Sequence, residues 1–323
     1  EKLPVWLKQQ GLEINQSNLC SEIILPTNKD RTAVCCLSSL NLEYFDEWSK
    51  EKGFLKDVLE MLDNVLTMFI EEAPNTIERA KYSAMRERSV GVGALGFHAY
   101  LQKKGVPFET AVAKSTNMRM FRHIRSGLDS ANLELGTERG EAPDALGTGL
   151  RCSHVMAIAP TATIGYINGV EQSIEPNFSV LFVYENKSGN FYITNEHFVK
   201  DAKRANLWSP ELAALIKQVD GDVERLNGDI PQELKEKYKT AFSRDMFALI
   251  ELNAVRQKWI DQSISFNLYN NNTSLKHLND LYIKAWEAGL KTTYYLRNRA
   301  ATKAEKSTEE APTACSLEAA SQG

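Results

Sequence analysis

The chain has 323 residues, 43% hydrophobic and 25% charged, with a net charge of −4, an ordinary globular composition with room for one large domain or two smaller ones. No basic footprint points to nucleic acid, no run reaches the ~18 apolar residues of a membrane span, and Glu1-Lys2-Leu3-Pro4-Val5-Trp6 lacks the apolar segment of a secretory signal. The five cysteines, at 20, 35, 36, 152 and 315, are too scattered for a secreted disulfide framework, and no Cys or His spacing suggests zinc, so no metal site is expected. Since the chain starts on Glu and carries candidate chemistry by residue 20, it is expected to be cut from a longer polypeptide.

In chain order, residues 16–27 read as a short strand or loop ended by Pro26. In an extended backbone Asn18, Cys20 and Glu22 leave on one face, and Leu19, Ser21 and Ile23 on the other. One face then carries an amide, a thiol and a carboxylate able to take a proton. The plain alternative is a core-filling cysteine, weakened because a buried strand face rarely holds Asn and Glu without partners. A second strand is expected within 31–42. Phe54, Leu55, Val58, Leu59, Leu62 and Leu66 recur at helical spacing over 52–72, and helical patterns resume at 76–86, 94–104 and 109–135. The spacing predicts a strand at 154–159, stopped by Pro160. A β-pair follows at 178–184 and 190–194, joined by a turn at 185–189. Helices are expected at 209–217, 232–262 and 273–289, the last closed by Gly289. A strand is expected at 291–296, and a flexible tail over 301–323 after a folded unit of residues 1–300. Strands separated by helical stretches point to an α/β architecture.

Several segments could carry chemistry. Gly91-Val92-Gly93-Ala94-Leu95-Gly96 matches a dinucleotide fingerprint, but the charged residues before it do not suit a buried strand, and no acidic strand end follows about 20 residues on. Close packing at a helix start is the better reading. Pro160-Thr161-Ala162-Thr163-Ile164 follows a strand with small residues, whose backbone N–H groups can cradle an anion, or can form a simple turn. Tyr294-Tyr295 would ordinarily divide between the two faces of a strand; touching, the two phenols could pass an electron and a proton. Cys35 could fill core or act in a dithiol pair. Cys315, on the tail, could exchange disulfides or be inert.

Taken in order, Gln16 to Glu22, Leu37 to Leu42, Gly91 to Gly96, Ala159 to Thr163, Ser173-Ile174-Glu175-Pro176, Ile260 to Ser265 and Lys291 to Arg297 make the chain resemble the C-terminal part of the large catalytic subunit of ribonucleotide reductase. The resemblance implies the second half of a ten-stranded α/β barrel, with the radical cysteine on an interior loop. It implies that Cys20 forms the thiyl radical, that Glu22 takes the 3′-hydroxyl proton, and that Ser17 and Asn18 meet substrate. It makes Cys35 one of two redox-active cysteines, Pro160 to Ile164 the substrate-phosphate loop, Tyr294 and Tyr295 the radical relay, and Cys315 a tail thiol. Cys36 falls where the family need not have a cysteine. The implied enzyme is cytoplasmic, allosteric and homodimeric, makes DNA precursors, and is re-reduced by thioredoxin or glutaredoxin. No cofactor would bind this chain directly. The Tyr pair implies a class I radical made by a separate metal-containing small subunit, the alternative being a class II enzyme using adenosylcobalamin. The partner of Cys35, the first half of the barrel and the regulatory nucleotide sites would lie upstream, so the chain alone is not expected to turn over. A further alternative is the non-catalytic half of a split enzyme. The residues do not distinguish diphosphate from triphosphate substrates.

Overall fold

The computed structural model describes residues 3–298 apart from 187, 188, 229 and 273. Strand β1 (Cys36–Asn41) leads through helices α1 (Phe54–Glu72) and α2 (Glu78–Glu87) to β2 (Val90–Leu95). Helices α3 (Phe97–Lys103) and α4 (Ala111–Arg139) follow, then an extended segment at 154–158. Next come α5 (Ala162–Ile167), the hairpin β3 (Leu181–Asn186) and β4 (Gly189–Thr194), and helices α6 (Glu196–Arg204), α7 (Pro210–Gln218), α8 (Gln232–Tyr238) and α9 (Met246–Gln257). A second extended segment at 262–266 runs into β5 (Leu268–Asn270); α10 (Leu275–Glu287) and β6 (Leu296–Asn298) close the described chain.

The barrel wall emerges from the backbone pairing. β1 pairs parallel with β2, Cys36 opposite Val90 through Asn41 opposite Leu95. β2 meets segment 154–158 through Val90 N to His154 O (3.1 Å) and Val92 N to Val155 O (2.8 Å), with a parallel bridge at Met156. That segment meets 262–266 through Ile158 N to Ser263 O (3.0 Å) and Ser265 N to Ile158 O (2.9 Å). The row continues through Tyr294 N to Phe266 O (2.8 Å) into the parallel pair of β5 and β6. Five parallel segments thus lie side by side in chain order, as expected for half of a ten-stranded barrel. Helical crossovers cover the outer face, as parallel neighbours require.

α1 forms because Leu55, Leu59, Leu62 and Leu66 recur every three or four residues and all four are buried in the main core. Fully buried Asp63 on the same helix receives Arg88, Arg139 and Arg151, which compensates its charge and ties α1 to the ends of α2 and α4. A small inner cluster of Ile23, Leu25 and Ala157, with Ala33 and Cys35 packed on it, fills the opposite face of the wall.

Several sequence expectations need correction. Residues 91–95 lie in a buried strand, not a helix start; only Gly96, the N-cap of α3, belongs to the helix start, and α3 begins at Phe97. The strand's glycines serve packing: a Cβ on Gly91 would sit 2.5 Å from Leu37 Cδ2 and 2.9 Å from Ala157 Cβ, and one on Gly93 2.5 Å from the Ala157 carbonyl oxygen. The stretch expected as one helix over 232–262 breaks after Tyr238 and restarts at Met246, where the Asp245 side chain accepts from Phe247 N. Between them Ala241 and Phe242 turn into the core, Phe242 against Tyr269. α6 had no clear sequence signal, because it buries only Phe198 and Ala202 on an otherwise polar helix. Of the turn expected at 185–189, residues 185, 186 and 189 belong to the paired strands β3 and β4, and residues 187 and 188 lie outside the described residues. So do the tail at 301–323 and Cys315.

Candidate active site

Residues 18–23 form a tight turn rather than an extended strand. Ser21 N donates to Asn18 O (3.1 Å), Asn18 N to Ile23 O (3.3 Å), and Ile23 N to Asn18 Oδ1 (3.0 Å), with Ser21 at φ 64°. The one-face alternation of Asn18, Cys20 and Glu22 therefore does not hold. Leu19 projects outward, 87% exposed, Cys20 is half-buried, and Glu22 is 3% exposed. Ser17 and Asn18 are exposed, and the Asn18 amide oxygen closes the turn.

Three consecutive carbonyls of this turn are held by the wall behind it. Ser265 Oγ lies 2.7 Å from Cys20 O, Thr292 Oγ1 donates to Ser21 O at 2.7 Å, and Ser263 N donates to Glu22 O at 2.9 Å. Ser265 Oγ is also 2.9 Å from Glu22 Oε2, so its single proton serves the carboxylate or the Cys20 carbonyl, one at a time. Ser263 Oγ and Thr292 Oγ1 are 2.5 Å apart. Sequence reasoning assigned no role to Gln262, Ser263, Ser265 or Thr292. The available signal was Ser263 and Ser265 alternating with apolar Ile264 and Phe266, since buried hydroxyls there require partners.

The segment that supplies Thr292 also supplies the tyrosines. Adjacent strand residues face opposite ways, but 292–295 precede the regular strand β6. The expected strand at 291–296 is displaced toward the C-terminus, and the Tyr294 and Tyr295 rings stack with centroids 3.9 Å apart and planes 28° apart. The Tyr294 phenol is pushed up by desolvation, then by hydrogen bonding with Cys20 and with Tyr295. Tyr295 is 47% exposed, with the Arg297 guanidinium 5.2 Å from its ring centroid. Tyr294 thus stands between the half-buried Cys20 thiol and the exposed Tyr295 ring.

Cys35 and Cys36 face opposite sides of the wall. Cys35 packs on the inner cluster with Ile23 and Leu25, and Cys36 packs against the outer core. Burial pushes the Cys35 thiol up; the Gln262 amide acts against this, and Cys36, Asp261 and Glu22 add to it. Pro160 ends segment 154–158, and Thr161 (φ 48°, buried) accepts from Ser173 N through Oγ1 at 2.7 Å. Ala162, Thr163 and Ile164 are exposed at the open start of α5, where first-turn N–H groups have no helical acceptor. The segment leading to this loop meets the Cys20 turn indirectly: Ile158 pairs with Ser263 and Ser265, which hold the Glu22 and Cys20 carbonyls. Among the described residues no group of three or more His, Cys, Asp or Glu could hold a metal, and no helix is long and apolar enough to cross a membrane.

A row of parallel segments, with helices outside and a cysteine-bearing turn pinned to its inner face, defines an α/β half barrel. The family model described as "Ribonucleotide reductase, barrel domain" matches residues 4–145 and 142–296, and the chain belongs to that family. It is 46% identical over 307 residues to the ribonucleoside-diphosphate reductase large subunit of Invertebrate iridescent virus 3, covering 92% of this chain and 48% of that protein. It is 36% identical over 341 residues to the ribonucleoside-diphosphate reductase subunit alpha of Chlamydia pneumoniae, covering 90% of this chain and 32% of that one. Among solved structures, the Actinobacillus ureae class Id ribonucleotide reductase alpha subunit superposes with TM-score 0.85 at 34% identity, over 93% of this chain and 56% of that one. The chain thus spans about half the length, or less, of these relatives.

Proposed function

We propose that this chain is the C-terminal half of a catalytic barrel that reduces ribonucleoside diphosphates to deoxyribonucleotides. The contact of Tyr294 with Cys20 at the end of a stacked tyrosine pair carries the reading. A tyrosyl radical at Tyr295 takes an electron and a proton from Tyr294, which takes the hydrogen atom of the Cys20 thiol. The Cys20 thiyl radical removes the 3′ hydrogen atom of the substrate, becoming a thiol again. Glu22 accepts the 3′-hydroxyl proton as the 2′ hydroxyl, protonated by a thiol of the reducing pair, leaves as water. Cys35 and that second thiol together give up two electrons and two protons, one for the departing water and one for C2′, and end in a disulfide; Glu22 returns its proton to the 3′ oxygen as Cys20 returns the hydrogen atom to C3′. The burial of Glu22 beside Ser265 supports its role as a nearby proton acceptor. The open N–H groups at Ala162 to Ile164, after Pro160 and Thr161, suit a substrate phosphate.

The exposed position of Tyr295 supports a radical delivered from outside the chain, by a small subunit, over one generated from adenosylcobalamin within the barrel. The relatives' names support a diphosphate substrate. The test is Cys20→Ser in a complete large subunit containing this chain, assayed with its small subunit for cytidine diphosphate reduction. Deoxycytidine diphosphate should fall below detection while nucleotide binding is kept. Substantial residual product would sink the assignment of Cys20.

A further inference from the structure

Gln262 is fully buried on the segment behind the Cys20 turn, and its three polar contacts leave its amide only one orientation. Oε1 accepts from Ile24 N at 3.4 Å. Nε2 donates to Val90 O at 3.2 Å and to Cys35 Sγ at 3.3 Å. A backbone N–H can only donate and a carbonyl can only accept, so the nitrogen faces Val90 O and the oxygen faces Ile24. The second Nε2 hydrogen therefore points at the sulfur. The Cys35 thiol proton has its own acceptor, Cys36 O, at 3.8 Å. On ionisation the sulfur loses that bond and keeps the one from Gln262.

We propose that Gln262 is a positioning residue that stabilises the Cys35 thiolate and joins that sulfur to the loop carrying Cys20. The proposal deepens the reading of Cys35 as a reducing thiol and rests on it for its consequence, although the hydrogen bond does not depend on it. A thiolate is the form that attacks and exchanges. Every other named group facing this sulfur opposes its ionisation: Glu22 on the turn, Cys36 on the same strand, and Asp261 on the neighbouring segment. Asp261 is itself held by Arg125 at 3.0 Å. Among these named groups the amide is the one that favours the ion. Through Ile24 N the same side chain holds the residue that follows the Cys20 turn, so the two sulfurs share one support.

Reduced full chain carrying Cys36→Ala, freed of reductant, is alkylated with iodoacetamide from pH 6 to 11, and the rate at Cys35 is followed by peptide mass. The sulfur–carbon bond forms as iodide leaves, so the rate tracks the thiolate. Gln262→Met keeps the side chain's length and removes both donors. It should slow alkylation at pH 8.5 by about tenfold, as losing one hydrogen bond to an ion implies. A merely structural role predicts the opposite sign, because loosening the loop hydrates Cys35 and speeds alkylation. An unchanged or faster rate at pH 8.5 overturns the proposal. If the Met variant does not fold, Gln262→Glu, which keeps the oxygen facing Ile24, carries the same test with a larger slowing expected. Cys35→Ser, assayed for ribonucleotide reduction, tests the reading of Cys35 separately: slower alkylation of the Gln262 variant with retained turnover of Cys35→Ser keeps the hydrogen bond and removes the reductive role.

Discussion

Thr292→Val is nearly isosteric and removes one hydroxyl that touches both Ser21 O (2.7 Å) and Ser263 Oγ (2.5 Å). Ser21 is 7% exposed and Ser263 not at all, so neither former partner gains much water. Leaving a buried polar group without a partner costs roughly 1–3 kcal/mol, and that range is the expected loss of stability. The functional loss should be larger than this alone implies. Thr292 lies two residues before Tyr294 and holds the carbonyl of the residue after Cys20, so it fixes the two ends of one hydrogen-atom transfer. A displacement on the order of 1 Å in such a contact can cost roughly a hundredfold in rate. In a complete large subunit with its small subunit, kcat for cytidine diphosphate reduction should fall about 10- to 100-fold, with KM little changed, and Thr292→Ser should restore most of it. Thermal unfolding on the same samples measures the stability loss. If the variant loses stability yet turns over within twofold of the parent, the clamp does not position Cys20 and the reasoning fails.

Tyr294→Phe removes only the hydroxyl between Cys20 and Tyr295, so folding should change by about 1 kcal/mol or less while reduction disappears; retained turnover would exclude the tyrosine relay. The pH dependence of stability offers a test away from the site. Glu87, 2% exposed, shares Arg31 with Asp144, and burial raises its carboxyl from 4.5 to about 7. A raised folded value means the unfolded chain releases this proton first, so the Glu87 contribution is complete below pH 4.5 and is lost as pH rises to about 7. The span corresponds to roughly 3 kcal/mol. The denaturant midpoint of Glu87→Gln should therefore gain on the parent between pH 5 and pH 8; a difference that stays flat or shrinks would refute the assignment.

The parts of the fold legible in the sequence were those whose period a single element sets. The spacing of Leu55, Leu59, Leu62 and Leu66 yields α1 without reference to anything else, and Gly289 at φ 85° ends α10 where expected. The glycine strand was not legible, because Gly91 and Gly93 are small for the sake of Leu37 and Ala157, more than 50 residues away on either side. The site divides the same way. Asn18, Cys20 and Glu22 were recognisable as residue types in order, but alternation suggested the wrong geometry: the backbone turns at Ser21, and carbonyls, not a strand ladder, hold it. The supports of that turn come from 263–265 and 292, over 200 residues later, and only pairing of the fourth and fifth wall segments brings them behind it. The vicinal tyrosines show the reverse case. A regular strand would have separated Tyr294 from Tyr295, and their stacking requires the irregular backbone before Leu296. Thr292 lies in that same irregular stretch, where its hydroxyl reaches Ser21 O. One departure from regular structure therefore both stacks the two rings and fastens the turn that carries the thiol, which makes a shift of residues 292–295 an event that would disturb relay and cysteine together.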